Sequence, residues 1–302
     1  MPTLDIVLLT EARYEAPAVP DWYARQVLAE DALVRAALER RGLRVGRADW
    51  ARPGFDWSCT RAALFRSTWD YFVRLPEFNA WLGHAAGTIR LINATELVRW
   101  NLDKHYLLDL EAQGVRVVPT HILEAGSSAS LTELLAEAGW QEAVLKPVVS
   151  GAARHTYRVS PGNATDLDPV LRQLLAAEAM MLQPFQRAVV EEGELSLAVI
   201  GGRCTHAVRK KAKTGDFRVQ DDHGGTAHPH TPTAAEVVFA ERAVAACTPP
   251  PVYARVEVVR DNDGELAVME LELIEPELFF RLCPPAADVP AAEVARSLRA
   301  GN

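Results

Sequence analysis

The stretch that most constrains the fold is a pair of alternating runs on either side of an Asp-Gly turn. The first run is Tyr253-Ala-Arg-Val-Glu-Val-Val-Arg260 and the second is Glu265-Leu-Ala-Val-Met-Glu-Leu-Glu-Leu-Ile274, with Asp261-Asn-Asp-Gly264 between them. Such alternation around Asp-Gly predicts a β-hairpin. Successive side chains of a strand point to opposite faces, so one face of this hairpin is apolar.

The opposite face carries one arginine and three carboxylates: Arg255, Glu257, Glu270 and Glu272. With an even-numbered loop, Arg255 lies opposite Glu270 and Glu257 lies opposite Val268. Carboxylates that share a face repel each other, and Mg²⁺ relieves this repulsion because it binds carboxylate and phosphate oxygens together. The hairpin alone leaves two interpretations open, a magnesium site or the solvated face of an antiparallel sheet.

Apolar periodicity along the chain of 302 residues predicts an α/β (α+β) protein with three lobes. In residues 1–95, short strands and a helix at 27–41 form a βαβ pattern, which predicts a small parallel α/β lobe. Residues 96–185 predict a small mixed central lobe. Residues 186–302 predict a larger antiparallel β lobe with helices.

Composition excludes several classes of protein. The net charge of −8 is unsuited to coating nucleic acid. The four cysteines are far apart and form no CxxC pair, which disfavours a structural zinc or disulfide framework and fits a reducing cytoplasm. No apolar run approaches the roughly 20 residues of a membrane helix, and the N-terminus has no signal-peptide pattern. We therefore expect a cytoplasmic protein without nucleic-acid or membrane partners.

Two lysines stand where phosphate groups could bind. Lys104 ends Trp100-Asn-Leu-Asp-Lys104 near a helix start, and Lys146 ends the apolar run Ala143-Val-Leu-Lys146. A loop of small residues follows Lys146, and its backbone N–H groups can close over phosphate oxygens. A lysine before a turn is also common without a function. The GxxxxGK[ST] pattern of a P-loop is absent.

The run Met180-Met-Leu-Gln-Pro-Phe185 predicts a strand that leads into a hinge. The side chain of Gln183 and the backbone near Phe185 could hydrogen-bond the edge of an adenine. A plain buried strand is the alternative.

Together these segments resemble the ATP-grasp superfamily, in the same order along the chain. The resemblance covers roughly residues 93–276. Beyond the segments above it includes Gly193-Glu194, Gly215-Asp-Phe-Arg218, Arg255-Val-Glu257 and Met269-Glu270-Leu-Glu272. It implies the ATP-grasp fold, with ATP and magnesium as cofactors.

The resemblance also implies three groups of site residues. ATP would be bound by Lys104, Lys146, Ser150, Gly151, Ala152, Arg154, Gln183, Phe185, Glu194 and Arg209. Two magnesium ions would be bound by Glu257, Glu270 and Glu272. The transferring phosphate would be stabilised by Lys146, Arg218 and Arg255. Glu272 stands where the superfamily usually has asparagine, so this site would be more anionic.

The segment Ser67-Thr-Trp-Asp-Tyr71 follows a predicted strand, and ligands of open α/β sheets meet the carboxyl ends of strands. Asp70 could bind a substrate ammonium group, with Trp69 or Tyr71 as a wall. A helix cap at Ser67 or Thr68, followed by ordinary packing, is the alternative.

Three segments resemble the D-cycloserine synthetases among the ATP-grasp enzymes: Arg66-Ser-Thr-Trp-Asp-Tyr71, Trp100-Asn-Leu-Asp-Lys104 and the ending Met269-Glu-Leu-Glu-Leu-Ile-Glu-Pro276. The resemblance implies a small amino-acid-like carboxylate as substrate, contacted by Ser67, Trp69, Asp70, Tyr71 and Glu275. A homodimer is common among such folds, so a dimer is consistent with it.

Two further stretches have weaker interpretations. The run Arg209-Lys-Lys-Ala-Lys213 is typical of a solvated loop, and in an acidic protein a nucleic-acid patch is disfavoured. A zinc site at His223, His228 and His230 is conceivable, but their spacing matches no common structural zinc pattern.

The implied reaction transfers the γ-phosphate of ATP to the substrate carboxylate, and a nitrogen then attacks the acyl-phosphate. In the D-cycloserine synthetases this attack is intramolecular and closes O-ureido-D-serine to D-cycloserine. One alternative is an amide ligase that joins two amino-acid-like substrates, with Arg281 as a candidate for binding a second carboxylate. The other is a non-catalytic ATP-binding protein, which the intact lysines and glutamates disfavour.

Overall fold

The computed structural model describes residues 2–299, in which the N-terminal lobe is a parallel sheet covered by helices on both faces. Its elements are β1 (Leu4–Thr10), α1 (Ala12–Glu15), α2 (Trp22–Glu39), β2 (Val45–Asp49), β3 (Thr60–Ser67), α3 (Leu75–Ala86) and β4 (Arg90–Ile92). The strand order is β2-β1-β3-β4. Ile6 and Leu8 face α2, whereas Val7 and Leu9 face α3, which explains why β1 is a continuous apolar run.

Two helices, α4 (Thr95–Asn101) and α5 (Tyr106–Ala112), lead to the central lobe. That lobe contains β5 (His121–Leu123), α6 (Leu131–Ala138), β6 (Ala143–Pro147), β7 (Tyr157–Val159), α7 (Ala164–Leu175) and β8 (Met180–Pro184). The antiparallel strand order is β5-β8-β6-β7. Ala143 and Leu145 pack against α6 and α7, so Val144 and Lys146 point to the other face.

The C-terminal lobe is a larger antiparallel sheet with the order β11-β10-β9-β12-β13. Its elements are α8 (Arg187–Glu191), β9 (Glu194–Ile200), β10 (Arg203–Lys211), β11 (Thr226–His230), α9 (Ala234–Ala245), β12 (Tyr253–Arg260), β13 (Leu266–Glu272) and α10 (Asp288–Arg299). Leu195, Leu197 and Val199 pack into a core shared with α5 and α9, which leaves Glu194 and Ser196 on the opposite face.

The last helix returns to the N-terminal lobe. Val294 and Leu298 of α10 share a core with Val34 and Leu38 of α2. The three predicted lobes and their sheet types are confirmed, while the exact domain boundaries stay a prediction. Within residues 2–299, no helix is both long enough and apolar enough to cross a membrane.

The predicted hairpin is present, but its predicted register is wrong by two residues. Arg255 lies opposite Glu272 rather than Glu270, and Glu257 lies opposite Glu270 rather than Val268. The loop spans an odd number of residues, 261–265, and a β-bulge follows Glu257. These two irregularities add up to a shift of two residues, so Arg255, Glu257, Glu270 and Glu272 keep their predicted face. At the bulge the alternation is broken, because Val268 packs in the core while Met269 lines the cavity.

Buried asparagines hold the outer edge of this hairpin. Asn101 donates to the carbonyl of Leu271 at 2.8 Å and accepts from the N–H of Leu273 at 2.8 Å. Asn93 donates to the carbonyls of Tyr253 and Leu273. These contacts satisfy backbone groups that an edge strand would leave unpaired, so β13 is fixed relative to the N-terminal lobe.

Candidate active site

The three lobes converge on a cavity of about 580 Å³. The carboxyl end of β1 and the residues that follow β3 form one wall. The faces of β6 and β8 that point away from α6 and α7 form the second wall, and the charged face of the C-terminal sheet forms the third. Each lobe therefore contributes the face that its own core leaves free.

Two lysines reach the cavity from the central part of the chain. Lys104 donates from Nζ to the carbonyl of Ser150 at 2.8 Å and lies 3.2 Å from Glu270 Oε1. Lys146 has no ion-pair partner within residues 2–299, and burial lowers the pKa of its ammonium group. An ammonium group without a partner in a buried site is suited to an anionic ligand such as a phosphate.

The loop after Lys146 lies against the N-terminal lobe. A Cβ atom added to Gly151 would lie 2.7 Å from Cε1 of Phe72, so the loop packs there without room for a side chain. Ala152 and Ala153 have φ values of 49° and 54°, which is the left-handed region that non-glycine residues seldom adopt. These two observations describe one tightly packed conformation of a loop that lines the cavity.

The floor of the cavity is a network of buried charges. Lys210 lies 2.6 Å from Glu194 Oε1 and also bonds Glu257. Arg255 donates to Glu257 at 2.9 Å and to Glu272 at 2.5 Å. The predicted charged face of the hairpin is therefore confirmed as one side of a shared site.

This network sets the charge states of its acids. Burial acts to raise the pKa of Glu257, but Lys210 and Arg255 outweigh it and lower that pKa. Burial raises the pKa of Glu194, and the nearby carboxylate of Glu257 adds to the effect. Burial also raises the pKa of Glu272, with further contributions from Glu257 and Glu270. The floor thus holds more carboxylate than its cations neutralise, which favours the binding of a further cation.

The N-terminal wall combines an unpaired acid with aromatic rings. Glu11 follows β1 directly, and its side chain has no hydrogen bond or ion pair within residues 2–299. Burial, together with the charge of Asp70, raises the pKa of Glu11 to about 7. The rings of Tyr14 and Tyr23 lie 5.6 and 5.9 Å from that of Trp69. A carboxylate beside aromatic faces is a setting that attracts a cation.

Most of the predicted site residues line this one cavity. The structure brings together Lys104, Lys146, Ser150, Gly151, Ala152, Gln183, Phe185, Glu194, Arg218, Arg255, Glu257, Glu270, Glu272, Trp69 and Glu275. The backbone N–H and carbonyl of Phe185 are bonded to Glu142 and Asn262, and its ring has the Arg158 guanidinium over it at 4.0 Å. Gln183 donates to the hydroxyl of Thr120 at 2.9 Å, and Arg218 is paired with Asp216 at 2.7 Å.

Two predicted ATP ligands lie outside the cavity. Arg154 pairs with Glu178 at the base of the loop and donates to the carbonyl of Val149. Arg209 points to the other face of β10 and donates to the carbonyl of Glu192 at 3.3 Å. Strand alternation brings the next residue, Lys210, into the site instead.

Three predicted substrate residues also lie elsewhere. Asp70 accepts from Nε1 of Trp50 at 2.7 Å and from Arg74 at 2.6 Å. Ser67 shares a hydrogen bond of 2.7 Å with Thr10, and Tyr71 is buried in the core beside α3. The packing alternative applies to these residues, because the chain turns inward after β3.

Sequence reasoning missed Lys210 and Glu11. Lys210 lies directly opposite Glu194 in the β9–β10 pairing. Opposite charges on facing strands attract, so knowledge of the strand register would have predicted that Lys210 lies beside Glu194 in the site. Glu11 is the residue after a parallel strand, which is the position where ligands meet such sheets.

Within residues 2–299, no group of three or more histidine, cysteine, aspartate or glutamate residues is arranged as a metal site. His230 bonds Glu236 at 3.0 Å, and His228 bonds the hydroxyl of Thr226. The glutamates of the floor are paired with cations instead. Magnesium is commonly bound by one or two carboxylates together with phosphate oxygens, and Glu270 and Glu272 fit that donor set.

The fold and this cavity define the class of protein. D-alanine–D-alanine ligase from Bacillus anthracis superposes with a TM-score of 0.67 at 15% identity, over 99% of this chain and all (100%) of that one. The ATP-grasp RimK domain protein from Sphaerobacter thermophilus superposes with a TM-score of 0.66 at 21% identity, over 97% and 98% of the two chains. These likenesses confirm the predicted ATP-grasp fold.

Nearer relatives identify the family. Residues 6–93 match the family described as D-cycloserine synthetase DcsG, N-terminal domain. The cycloserine biosynthesis protein DcsG of Streptomyces lavendulae is 34% identical over 251 residues, which cover 78% of this chain and 83% of that protein. The crystal structure of D-cycloserine synthetase DcsG superposes with a TM-score of 0.86 at 30% identity, over 97% and 99% of the chains.

The chain therefore belongs to the D-cycloserine synthetase DcsG family. It is an ATP-dependent ligase that forms carbon–nitrogen bonds, as predicted. The alternative of a non-catalytic ATP-binding protein is set aside.

Proposed function

We propose that this protein uses ATP to close O-ureido-D-serine to D-cycloserine. Family membership supports the reaction class, and one observation on the cavity supports a single amino-acid substrate. Among the cationic side chains that line the cavity, Arg13, Lys104, Lys210, Arg218 and Arg255 each have a carboxylate partner. Within residues 2–299, Lys146 alone among them has no such partner, and we assign it to the phosphates, so the lining offers no additional cation dedicated to the carboxylate of a second amino acid.

The ATP-binding part of the proposal uses the central and C-terminal walls. Lys104, Lys146 and Lys210 contact the phosphates, with the loop at 150–154 closing over them. The ring of Phe185 and the side chain of Gln183 face the adenine, and Glu194 accepts from the ribose.

Magnesium belongs to the same part of the proposal. Glu257, Glu270 and Glu272 would bind two magnesium ions, because these carboxylates and a triphosphate together carry more negative charge than one ion balances. Bound magnesium would supply charge neutralisation for the phosphate oxygens.

The substrate part uses the N-terminal wall. Glu11 takes the α-ammonium group, and Trp69 with Tyr14 forms the adjacent wall. The substrate carboxylate then points to the phosphate-binding cations, with Arg255 and Arg218 stabilising the charge that develops during phosphate transfer.

The proposed chemistry has two steps followed by loss of the carbamoyl group. A carboxylate oxygen of the substrate attacks the γ-phosphorus, and ADP leaves. The ureido nitrogen next to oxygen then attacks the acyl carbon, its proton is lost, and phosphate leaves. Hydrolysis removes the carbamoyl group as carbon dioxide and ammonia. Protein groups orient the partners and neutralise charge, and no side chain forms a covalent bond.

The test incubates pure protein with ATP, Mg²⁺ and O-ureido-D-serine, and measures D-cycloserine by mass spectrometry alongside released phosphate. We expect one phosphate for each D-cycloserine and no dependence on a second amino acid. Lys146→Met is the inactive control, because it removes the one unpaired cation. Absence of both D-cycloserine and phosphate release would refute the proposal, and release only with two amino acids would indicate an amide ligase.

The alternative of an amide ligase has less support. Arg281, the candidate for binding a second carboxylate, bonds Glu277 and lies 3.3 Å from Asp221 and 3.8 Å from Glu30. Its charge is therefore already matched, and its side chain does not line the cavity.

A further inference from the structure

One acid of the cavity is used neither by the ion-pair network nor by the proposed nucleotide site. Glu275 follows β13, and its side chain lines the cavity between the charged floor and the aromatic wall. Within residues 2–299 its carboxyl group bonds no other residue, and its one hydrogen bond is with its own backbone. The residue is partly buried, and a polar group withdrawn from water without a partner costs free energy, so a carboxyl that no other residue bonds in a ligand cavity indicates a ligand contact.

Its acidic neighbours differ in this respect. Glu270 lies 3.2 Å from Lys104, Glu272 accepts from Arg255, and Glu277 bonds Arg281. Of these four glutamates, Glu275 is the one whose carboxyl bonds no other residue within residues 2–299, which leaves most of its hydrogen-bonding capacity for a ligand.

The backbone of Glu275 is held in place from the N-terminal lobe. Nε1 of Trp69 donates to the carbonyl of Glu275 at 2.9 Å, and the ring of Trp69 packs against Tyr14 and Tyr23. The proline at 276 restricts the same segment. A side chain on a backbone that is fixed in this way can select a ligand group by its geometry.

The position is close to the reacting end of the cavity. Glu275 lines the same cavity as Lys104 and Arg255. Burial and the charge of Glu272 raise the pKa of Glu275 well above its usual range. A neutral carboxyl both donates and accepts a hydrogen bond in one plane, which matches a neutral amide or urea better than it matches an ammonium group.

We propose that Glu275 recognises the ureido group of the substrate through a planar pair of hydrogen bonds. This inference rests on the proposed function. The nitrogen that attacks the acyl carbon carries the carbamoyl group, so the ureido group must lie beside the phosphate-binding cations. Glu275 holds that group and so presents the attacking nitrogen, while Glu11 holds the ammonium group from the other side. Glu275 is therefore a specificity-determining residue for the carbamoyl part of the substrate.

The experiment compares two ligands that differ only in that part. O-ureido-D-serine has the carbamoyl group, whereas β-aminooxy-D-alanine keeps the carboxylate, the ammonium group and the reacting nitrogen but lacks it. Each is titrated by calorimetry into wild type, Glu275→Ala, Glu275→Gln and the control Glu265→Ala, with Mg²⁺ and a non-hydrolysable ATP analogue. Glu265 is an exposed acid at the opposite end of β13.

We expect wild type and Glu265→Ala to prefer the ureido compound by about 10- to 100-fold, the effect of two hydrogen bonds to a neutral group. Glu275→Ala loses this preference but binds β-aminooxy-D-alanine as wild type does. Glu275→Gln keeps most of the preference, because its amide also donates and accepts in one plane.

The proposal is overturned if Glu275→Ala keeps the preference for the ureido compound, or if it lowers the affinity for both ligands equally. It is also overturned if Glu275→Gln loses the preference as fully as Glu275→Ala does. It is also overturned if wild type binds neither ligand or shows no preference. D-cycloserine formation is measured separately, so a wild type that binds with the expected preference but makes no product refutes the proposed function and leaves the role of Glu275 standing.

Discussion

Replacing Lys210 by methionine removes the cation that holds two buried carboxylates together. Its Nζ lies 2.6 Å from Glu194 Oε1, and the side chain of Lys210 is 8% exposed. At that distance and an effective dielectric constant of about 20, one such contact amounts to roughly 6 kcal/mol of attraction. Desolvation offsets part of it, so breaking a buried pair costs about 3–5 kcal/mol.

The loss of stability should depend on pH. Without Lys210, the facing carboxylates of Glu194 and Glu257 repel each other. One of them therefore keeps a proton in the folded protein at pH values where the same carboxyl group is ionised in the unfolded chain. The ordinary pKa of such a carboxyl group, taken for the unfolded chain, is 4.5, and the repulsion raises the pKa of one of the two groups in the folded variant. Because its folded pKa is above its unfolded pKa, the variant loses stability as the pH rises above 4.5. We expect the deficit relative to wild type to be larger at pH 8 than at pH 5.

The assay is thermal unfolding followed by circular dichroism at several pH values. A cost of about 3–5 kcal/mol corresponds to a decrease in Tm of roughly 6–10 °C at pH 8 for a chain of this size. Arg209→Met is the matched control, because Arg209 is the neighbouring residue on the opposite face and its contact is one hydrogen bond of 3.3 Å. Its Tm should change by less than about 2 °C.

The same pair of variants tests the functional assignment. Lys210→Met should lower kcat by about 100-fold or more, because a charge aimed at the transferring phosphate is lost. Arg209→Met should keep kcat within about threefold of wild type, because it does not reach the cavity. Equal Tm values for the two variants at pH 8, or a deficit that does not change with pH, would refute the charge network as described.

Three further substitutions have distinct expected outcomes. Glu11→Gln should raise KM for the substrate about 10-fold above pH 7, where the wild-type Glu11 is a carboxylate. In wild type KM should rise as the pH falls below about 7, the pKa of Glu11, because the carboxylate is then protonated, and the variant should lack this rise. In the same variant, Tm of the free protein should fall less between pH 4.5 and 7 than that of wild type, because one of the carboxyls whose folded pKa is raised has been removed. An unchanged KM profile would contradict the assignment. Glu270→Ala should abolish phosphate release while the circular dichroism spectrum is retained, and retained activity would remove the magnesium assignment. Gly193→Ala should cost about 2 kcal/mol or more, measured by urea unfolding, because φ is 96° and a Cβ would lie 2.4 Å from the carbonyl of Lys210. Gly202→Ala, with a φ of 77° and open space around it, should cost less.

Local patterns in the sequence determined much of the site. The alternation around the Asp-Gly turn placed Arg255, Glu257, Glu270 and Glu272 on one face, and this held despite the wrong register, because a shift by two residues does not change the face. Lys104, Lys146 and Gln183 were found because each stands in a short segment that resembles the ATP-grasp superfamily. Short-range geometry and resemblance were sufficient for these residues.

The predicted residues that lie outside the cavity do so for a shared physical reason. Whether Arg209 or Lys210 enters the cavity depends on the pairing of β10 with β9, and a one-residue difference reverses the face. Whether Asp70 is free for a ligand depends on Trp50 and Arg74, which reach it only after the N-terminal lobe has packed. Such contacts have no local signature in the chain.

By itself, then, the sequence determined the class of fold, the charged face of the hairpin and the lysines that meet it, since these follow from periodicity and from segments of a few residues. Only the tertiary structure decided which acids remain unpaired. Glu11 and Glu275 are acids like many others in the chain, and the fold places both in the cavity with no ion-pair partner among residues 2–299. Pairing between residues distant in sequence depends on how the lobes pack, and that packing leaves these two carboxyl groups for the substrate.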